Sequence, residues 1–391
     1  MDTLQKKEEL NITDLVFGSF LFLPIFIMIN GLSVSLPETY YRPSGFPLHL
    51  GMLFFIFYFP KIRVSKFKLG IMLSFLLYSA LWLHETGRAA FLLQSYLFLF
   101  YFFYFDSLPR KKLFNLLKYG INSIKVFVAL HILSYLIGPV SAESYGFAGS
   151  ITSFFGYPIY QAGLSYPIVL IFALIIDKEI FSSENDKSYW FFLGCVLIIE
   201  LLLARKVAIG FMGLYLLFYH PFLSMMGLFG IIFLALFFNI EISLVFTILE
   251  RFQDLFDSNR EWGGVHRAGA YYLALEVLRD PYALFLGNGI NNWPHNYYLA
   301  ILTTHGVIYS SILFFLIFYY CFYLNLQKDL RFKSWSILLT GFLMVDFMVN
   351  ASLNQPYYAG ILAALVVAMK KFNPFLNDNE FLKILTSNAK H

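Results

Sequence analysis

Along this chain, apolar runs of membrane-spanning length alternate with short polar segments that are mostly basic. A bilayer core takes about 20 apolar residues per helix. On that measure the pattern predicts twelve spans. The first runs from about Leu15 to Leu36, the second from Leu48 to Phe59, the third from Leu69 to Leu83 and the fourth from Arg88 to Phe105. The fifth covers about Ile121 to Val140 and the sixth Ala162 to Ile176. Spans seven and eight, about Tyr189 to Ala204 and Val207 to Tyr219, are joined by Arg205-Lys206 alone. Span nine runs from about Leu223 to Phe238, span ten follows Gly306, span eleven lies near Ser336 to Met348 and span twelve near Ala359 to Met369. The expected fold class is therefore an all-α polytopic membrane protein, with residues 1–391 forming one integral membrane domain. The largest segment between spans, residues 239–296, comes just before the tenth.

Charge orients this map. Lys61, Arg63, Lys66 and Lys68 share one short loop, Arg110, Lys111 and Lys112 another, and Lys370-Lys371 close the last span. Cytoplasmic loops carry the excess of Lys and Arg, so both termini are expected in the cytoplasm and segment 239–296 on the outer side. Composition agrees: 59% of residues are hydrophobic and 13% charged, with a mean hydropathy of +0.67, where soluble domains carry about 25% charged residues. A net charge of +4 is too small to argue for a nucleic-acid partner. Cys195 and Cys321 lie in different apolar runs, which supports neither a disulfide framework nor a cysteine metal site. No internal repeat is evident, and this weakens transporter folds built from inverted repeats.

The outer cations oppose the topological bias, and they are nearly all arginine. Arg205 sits at the junction of two spans with almost no loop around it. A guanidinium can fork a diphosphate with two parallel charge-assisted hydrogen bonds, and that is the role expected of Arg205. For its neighbour Lys206, snorkelling to the headgroups competes evenly with such a role. Arg267 stands at the first turn of a helix expected over about Val265 to Leu278, whose apolar residues recur at helical spacing as in an amphipathic helix at a membrane surface. Arg260 and Arg279 read as solvated helix ends. Arg88 is either an anion contact or an interfacial anchor. The outer acidic residues, Glu250, Asp254, Asp257 and Glu261 among them, show no metal-ligand spacing; cations would then have to neutralise a leaving diphosphate.

The remaining chemistry lies in Gly287-Asn288-Gly289-Ile290-Asn291-Asn292-Trp293-Pro294-His295-Asn296. A Gly-rich turn runs into a polar His-Asn pair, which opens a short apolar helix that Gly306 interrupts. A polar, turn-forming knot beside a bilayer segment is costly unless it lines a water-accessible site. Asn296 is expected to orient local backbone, and His305 to pack between helices.

Taken together, Leu203-Ala204-Arg205, Arg267, Tyr271-Tyr272-Leu273, Asp280-Pro281, Leu286-Gly287-Asn288-Gly289, His295-Asn296-Tyr297-Tyr298-Leu299 and Gly306 resemble the shared core of the bacterial O-antigen polymerase and O-antigen ligase family. Ala204 stands where that family usually has Ser. Phe154-Phe155-Gly156-Tyr157-Pro158 is similar to a further Gly-Phe…Pro segment of the family. The resemblance implies a GT-C-type glycosyltransferase of the bacterial inner membrane, with segment 239–296 as a periplasmic loop carrying part of the active site. It implies a polyprenyl-diphosphate-linked oligosaccharide as donor, a sugar hydroxyl as acceptor, inversion of configuration, and no metal or other cofactor. Membrane lipid, a flippase and a chain-length regulator are the implied partners. By position, Arg205 and Arg267, with Arg88, would grip the diphosphate; Gly287, Gly289, Asn296 and Lys206 would support the site. His295 would be general base to the acceptor or a hydrogen-bond donor to the departing diphosphate, since an unperturbed imidazole titrates near neutrality.

Polymerase and ligase share this donor chemistry and differ in the acceptor, a growing chain or a lipid A-core sugar. From another class, a transporter or flippase of lipid-linked sugars would place its polar groups along a membrane pathway. Here the spans hold few charges, chiefly Lys125, Glu200 and Asp346.

Overall fold

A computed structural model describes residues 65–80, 96–137, 151–152, 158–159, 166–181, 186–203, 206–227, 271–288, 296–323, 340–341, 343–344 and 356–372. This part of the chain is helical, apart from a two-residue antiparallel pairing of Ile151 with Ile159 and Thr152 with Pro158. The principal helices are α1 (Lys66–Ala80), α2 (Leu97–Ser107), α3 (Arg110–Ile137), α4 (Tyr166–Ile176), α5 (Lys187–Leu203), α6 (Lys206–Tyr219), α7 (Pro281–Leu286), α8 (Tyr297–Phe318) and α9 (Pro356–Phe372). Spans one and two lie outside the described residues, as does most of spans nine and eleven.

Local chemistry sets the helix ends. The Ser65 hydroxyl accepts from the Lys68 N–H and starts α1. The Asp186 carboxylate accepts from the Ser188 N–H at 2.8 Å and starts α5. Helix α2 stops because Leu108 precedes a proline: it is extended at φ −70°, ψ 142°, the region to which a following Pro confines a residue. Pro109 then opens α3 at once, its carbonyl accepting from the Leu113 N–H. As a result α3 begins at Arg110, eleven residues before the expected span, and Arg110, Lys111 and Lys112 form its first turn instead of a loop.

The centre is built around α9, which packs on both α2 and α4. Ile168 to Ile176 of α4 and Tyr358 to Ala368 of α9, apart from Gly360, are fully buried hydrophobic residues. A helix that is apolar on all sides belongs in the middle of a bundle. Helices α5 and α6 form a hairpin whose far ends are clipped together: the Tyr189 hydroxyl lies 2.5 Å from that of Tyr215 and 2.6 Å from Nε2 of His220. On the outside, large apolar side chains face away from the protein, Phe67, Leu77, Phe191 and Phe315 each being at least 60% exposed.

Among the described residues, two helical stretches are long and apolar enough to cross a membrane, Arg110–Leu133 and Tyr297–Cys321. The second is divided by Gly306, whose φ of 69° and ψ of 173° are not helical. Leu97–Ser107 and Ala208–Tyr219 are shorter apolar helices.

Candidate functional site

The break at Gly306 creates the problem around which this site is built. A helix that stops leaves its last carbonyls without intrahelical partners, and inside an apolar bundle no water is there to satisfy them. Hydroxyls at the end of the first part of α8 and beyond the break bond back to carbonyls of the preceding turn. Thr303 Oγ1 donates to Leu299 O at 2.9 Å and Thr304 Oγ1 to Ala300 O at 2.5 Å, and Ser310, beyond the break, donates to Ile301 O at 3.0 Å. Two of the carbonyls left open at the break are met from elsewhere. The Asn288 N–H donates to Thr303 O at 3.0 Å, and the Tyr78 hydroxyl reaches His305 O at 3.1 Å.

The turn at Gly287 fits into this break. It follows the short helix α7, whose Asp280 carboxylate accepts from the Tyr282 and Ala283 N–H groups and whose first residue is Pro281. Gly287 has φ 74° and Gly306 φ 69°, the two positive values among the described glycines. Each sits where the other leaves no room for a side chain. A Cβ on Gly287 would lie 2.7 Å from Gly306 N and nearer still to Thr304 O; a Cβ on Gly306 would lie 2.5 Å from Gly287 N and nearer still to Phe285 O. Both demands, left-handed backbone and close backbone approach, are met by glycine alone.

Tyr78, near the end of α1, fastens the two. Its hydroxyl contacts Leu286 O, just before Gly287, as well as His305 O, just before Gly306. Its ring stacks on Tyr309 at 3.8 Å between centroids. Behind it lies fully buried His305, with Nδ1 3.3 Å from Ile301 O and its ring 5.2 Å from that of Tyr96.

The described residues hold both ends of segment 289–295 in place. One side is the Gly287-Asn288 turn. The other is Asn296, which caps α8 by accepting from the Leu299 N–H at 3.1 Å. That segment, with His295 and Gly289, lies outside the described residues; Arg88, Arg205 and Arg267 lie outside them too. Among the sequence-predicted site residues, the described structure brings in Gly287, Asn296 and the backbone of Lys206, which starts α6. Glu200, near the end of α5, is buried with neither carboxylate oxygen hydrogen-bonded. Among the described residues no group of three or more His, Cys, Asp and Glu side chains converges.

The helices also sort the site by level. Lys68 of α1 and Asp106 of α2 pair at one end of the bundle. Tyr78 and Tyr96 stand ten residues away along those same helices, about 15 Å by the helical rise, and both belong to the surroundings of Gly306. Phe114 and Phe181 join the Lys68 end through Phe372 of α9, which bears on Phe114. Tyr189 and His220, at the open end of the α5–α6 hairpin, lie on that side as well, since Lys178 sits over the Tyr189 ring. Leu203 and Lys206, the helix ends that flank Arg205, are thus at the opposite end, the end that holds the Gly287–Gly306 contact.

Sequence reasoning missed Tyr78. A hydroxyl on the last turn of an otherwise apolar helix was the available signal. Searches against family models, curated proteins and solved structures found no match for this chain.

Proposed function

We propose that this chain is a polytopic inner-membrane glycosyltransferase of the O-antigen polymerase kind, with about twelve spans in a GT-C-like arrangement and both termini in the cytoplasm. The observation that carries the reading is the backbone contact of Gly287 with Gly306. It fixes one flank of segment 289–295, a polar stretch of sequence that carries His295, and such a stretch beside a membrane helix is costly unless it serves a site. That contact stands at the same end of the bundle as the helix ends flanking Arg205, which further supports the reading.

On this reading a sugar hydroxyl attacks the anomeric carbon of a glycan carried on polyprenyl diphosphate. The C–O bond to the diphosphate breaks from the opposite face, and configuration inverts. The hydroxyl proton passes to His295 or, through a hydrogen bond, to the departing diphosphate. Arg205 and Arg267, with Arg88, neutralise the charge that builds on the leaving group, as positioned cations do in a water-poor site. Lys206 and Gly289 support the same anion and loop.

The experiment is reconstitution of the protein in phospholipid vesicles with a polyprenyl-diphosphate oligosaccharide, followed by gel analysis of chain length. The expected result is a ladder from the unaltered protein and none from His295→Ala, Arg205→Ala or Arg267→Ala, each still membrane-inserted. Normal ladders from all three variants would overturn the reading. Transfer to lipid A-core sugars without lengthening would make the protein a ligase. Movement of labelled lipid-linked sugar across the vesicle, undisturbed by His295→Ala, would make it a transporter.

A further inference from the structure

Where α6 ends, the chain reads Tyr219-His220-Pro221. Pro221 lacks the N–H that would carry α6 onward, so the helix stops and residues 221–227 form a second helical stretch. His220 is the joint between the two. Its N–H donates to Leu216 O at 2.7 Å, and its carbonyl accepts from the Ser224 N–H at 2.9 Å. The side chain reaches across to α5. Nε2 lies 2.6 Å from the Tyr189 hydroxyl, which lies 2.5 Å from that of Tyr215. The Trp190 ring stands 4.8 Å from the imidazole.

Counting protons fixes the direction of this chain of hydrogen bonds. Tyr189 and Tyr215 are fully buried, and among the described residues the Tyr215 hydroxyl has Tyr189 as its one hydrogen-bond partner. With a neutral imidazole protonated on Nδ1, Tyr215 donates to Tyr189 and Tyr189 donates to Nε2, so both hydroxyl protons are used. An imidazolium donates from both nitrogens and accepts from neither. Its Nε2–H then competes for the Tyr189 oxygen, and one hydroxyl proton is stranded in a buried place. Stranding it disfavours the closed arrangement roughly tenfold or more. His220 itself is half-buried, within reach of water. The surrounding charges act in the same sense. Lys178, from the π-turn Asp177–Phe181 that follows α4, sits 5.0 Å over the Tyr189 ring; burial first, then Lys178, hold the imidazole below its ordinary value. Asp177, whose charge is felt by both tyrosines, pairs with Lys125 at 2.9 Å, and the Tyr219 ring lies 4.9 Å from that of Tyr215.

We propose that His220 is a proton-operated latch on the α5–α6 hairpin: neutral, it accepts from Tyr189 and holds the joint between α6 and residues 221–227 against α5; protonated, it lets go. The proposal depends on neither the transferase chemistry nor the membrane reading. Since the imidazole titrates below its ordinary 6.5 in the fold, the latch is closed above that pH and opens as pH falls through the depressed value. Release frees the end of α6, the helix whose first residue follows Arg205 directly.

The test is a titration of the purified full-length protein from about pH 8 to about pH 4, a range that brackets the imidazole. Two signals are followed. One is Trp190 fluorescence, taken as the difference from Trp190→Phe, because an imidazolium quenches a neighbouring indole. The other is amide exchange at residues 220–227, corrected for the intrinsic effect of pH on exchange. Trp190 emission is expected to fall with a midpoint below 6.5. Across the same midpoint, protection of the Ser224 amide should drop roughly tenfold while amides of α4 keep theirs. His220→Gln is expected to show neither step. Tyr189→Phe removes the donor that favours the neutral imidazole, so its midpoint should rise by about one pH unit; a clip with no link to protonation would lose stability there and leave the midpoint in place. A step retained by His220→Gln overturns the proposal, as does Ser224 protection that ignores the fluorescence step, or the lack of any step before the whole protein unfolds in acid. An unmoved midpoint in Tyr189→Phe overturns it too, and that variant decides the matter if His220→Gln does not fold.

Discussion

Gly287 and Gly306 meet backbone against backbone, each in the left-handed region and each occupying the space where the other's side chain would be. A non-glycine residue in such a conformation costs on the order of 1–3 kcal/mol, and the overlap with backbone atoms adds to it. Gly287→Ala and Gly306→Ala are therefore each expected to destabilise the protein by more than ~2 kcal/mol. Because the two share one contact, the double variant should cost less than the sum of the singles. Thermal unfolding in detergent of the three variants checks both statements.

Tyr78→Phe removes a hydroxyl that faces two carbonyls while leaving the ring on Tyr309. An unsatisfied buried carbonyl costs about 1–3 kcal/mol, so a loss in that range is expected. Amide exchange at Asn288, whose N–H bonds to Thr303 O, should quicken more than exchange within α4. Uniform quickening across the molecule would show that Tyr78 has no special hold on the turn.

Asn296→Ala deletes the acceptor for the Leu299 N–H and should cost about 1 kcal/mol, with Asn296→Asp restoring most of it. On the proposed function, transferase activity should fall further than this small loss of stability implies, because the cap sits one residue from His295. Activity that tracks stability alone would make Asn296 a structural cap and nothing more.

The cluster at the other end of the bundle, where Lys68 and Lys370 pair with Asp106 and the Lys371 ammonium donates to the carbonyls of Phe105, Asp106 and Leu108, gives a dependence on pH. Burial alone would raise the Asp106 carboxyl, but hydrogen bonds and charge from Lys370 and Lys68 outweigh it and hold the group below its ordinary value. Its contribution is present above the ordinary carboxylate range and is lost as pH falls through the depressed value. Lys371 has the opposite sense. With its amine at about 8 in the fold and 10.5 as the ordinary value, the unfolded chain holds more protons between those limits, so stability from this group rises with pH across that window. Denaturation midpoints from pH 7 to 10.5 should show that rise in the unaltered protein and lose it in Lys371→Met.

Much of this architecture was legible in residue order, for reasons that differ by element. The hairpin of α5 and α6 lies within two residues of the expected limits at each end, because Lys187, Arg205-Lys206 and His220-Pro221 bound the two apolar runs. The interruption at Gly306 could be foreseen because a lone glycine stands between a polar turn of threonines and a long apolar run. The early start of α3 could not: Lys, Asn and Leu in its first half are compatible with a helix, yet hydropathy registers its apolar half alone. Contacts between distant positions were hidden as well. Nothing near Tyr78 in sequence points to Leu286, 208 residues away, and nothing near Asp106 points to Lys370. At the proposed site the described residues supply the scaffold, Gly287, Asn296 and Gly306, whereas the arginines and His295 lie beyond them.

Lys371 closes α2 from a position more than 260 residues further along the chain. During synthesis, α2 emerges long before the ammonium that completes it, and its last carbonyls must be met by water or headgroups in the meantime. On the proposed membrane reading, the assembly of this end is therefore post-insertional: the early helices would wait in the bilayer until the arrival of α9 locks them.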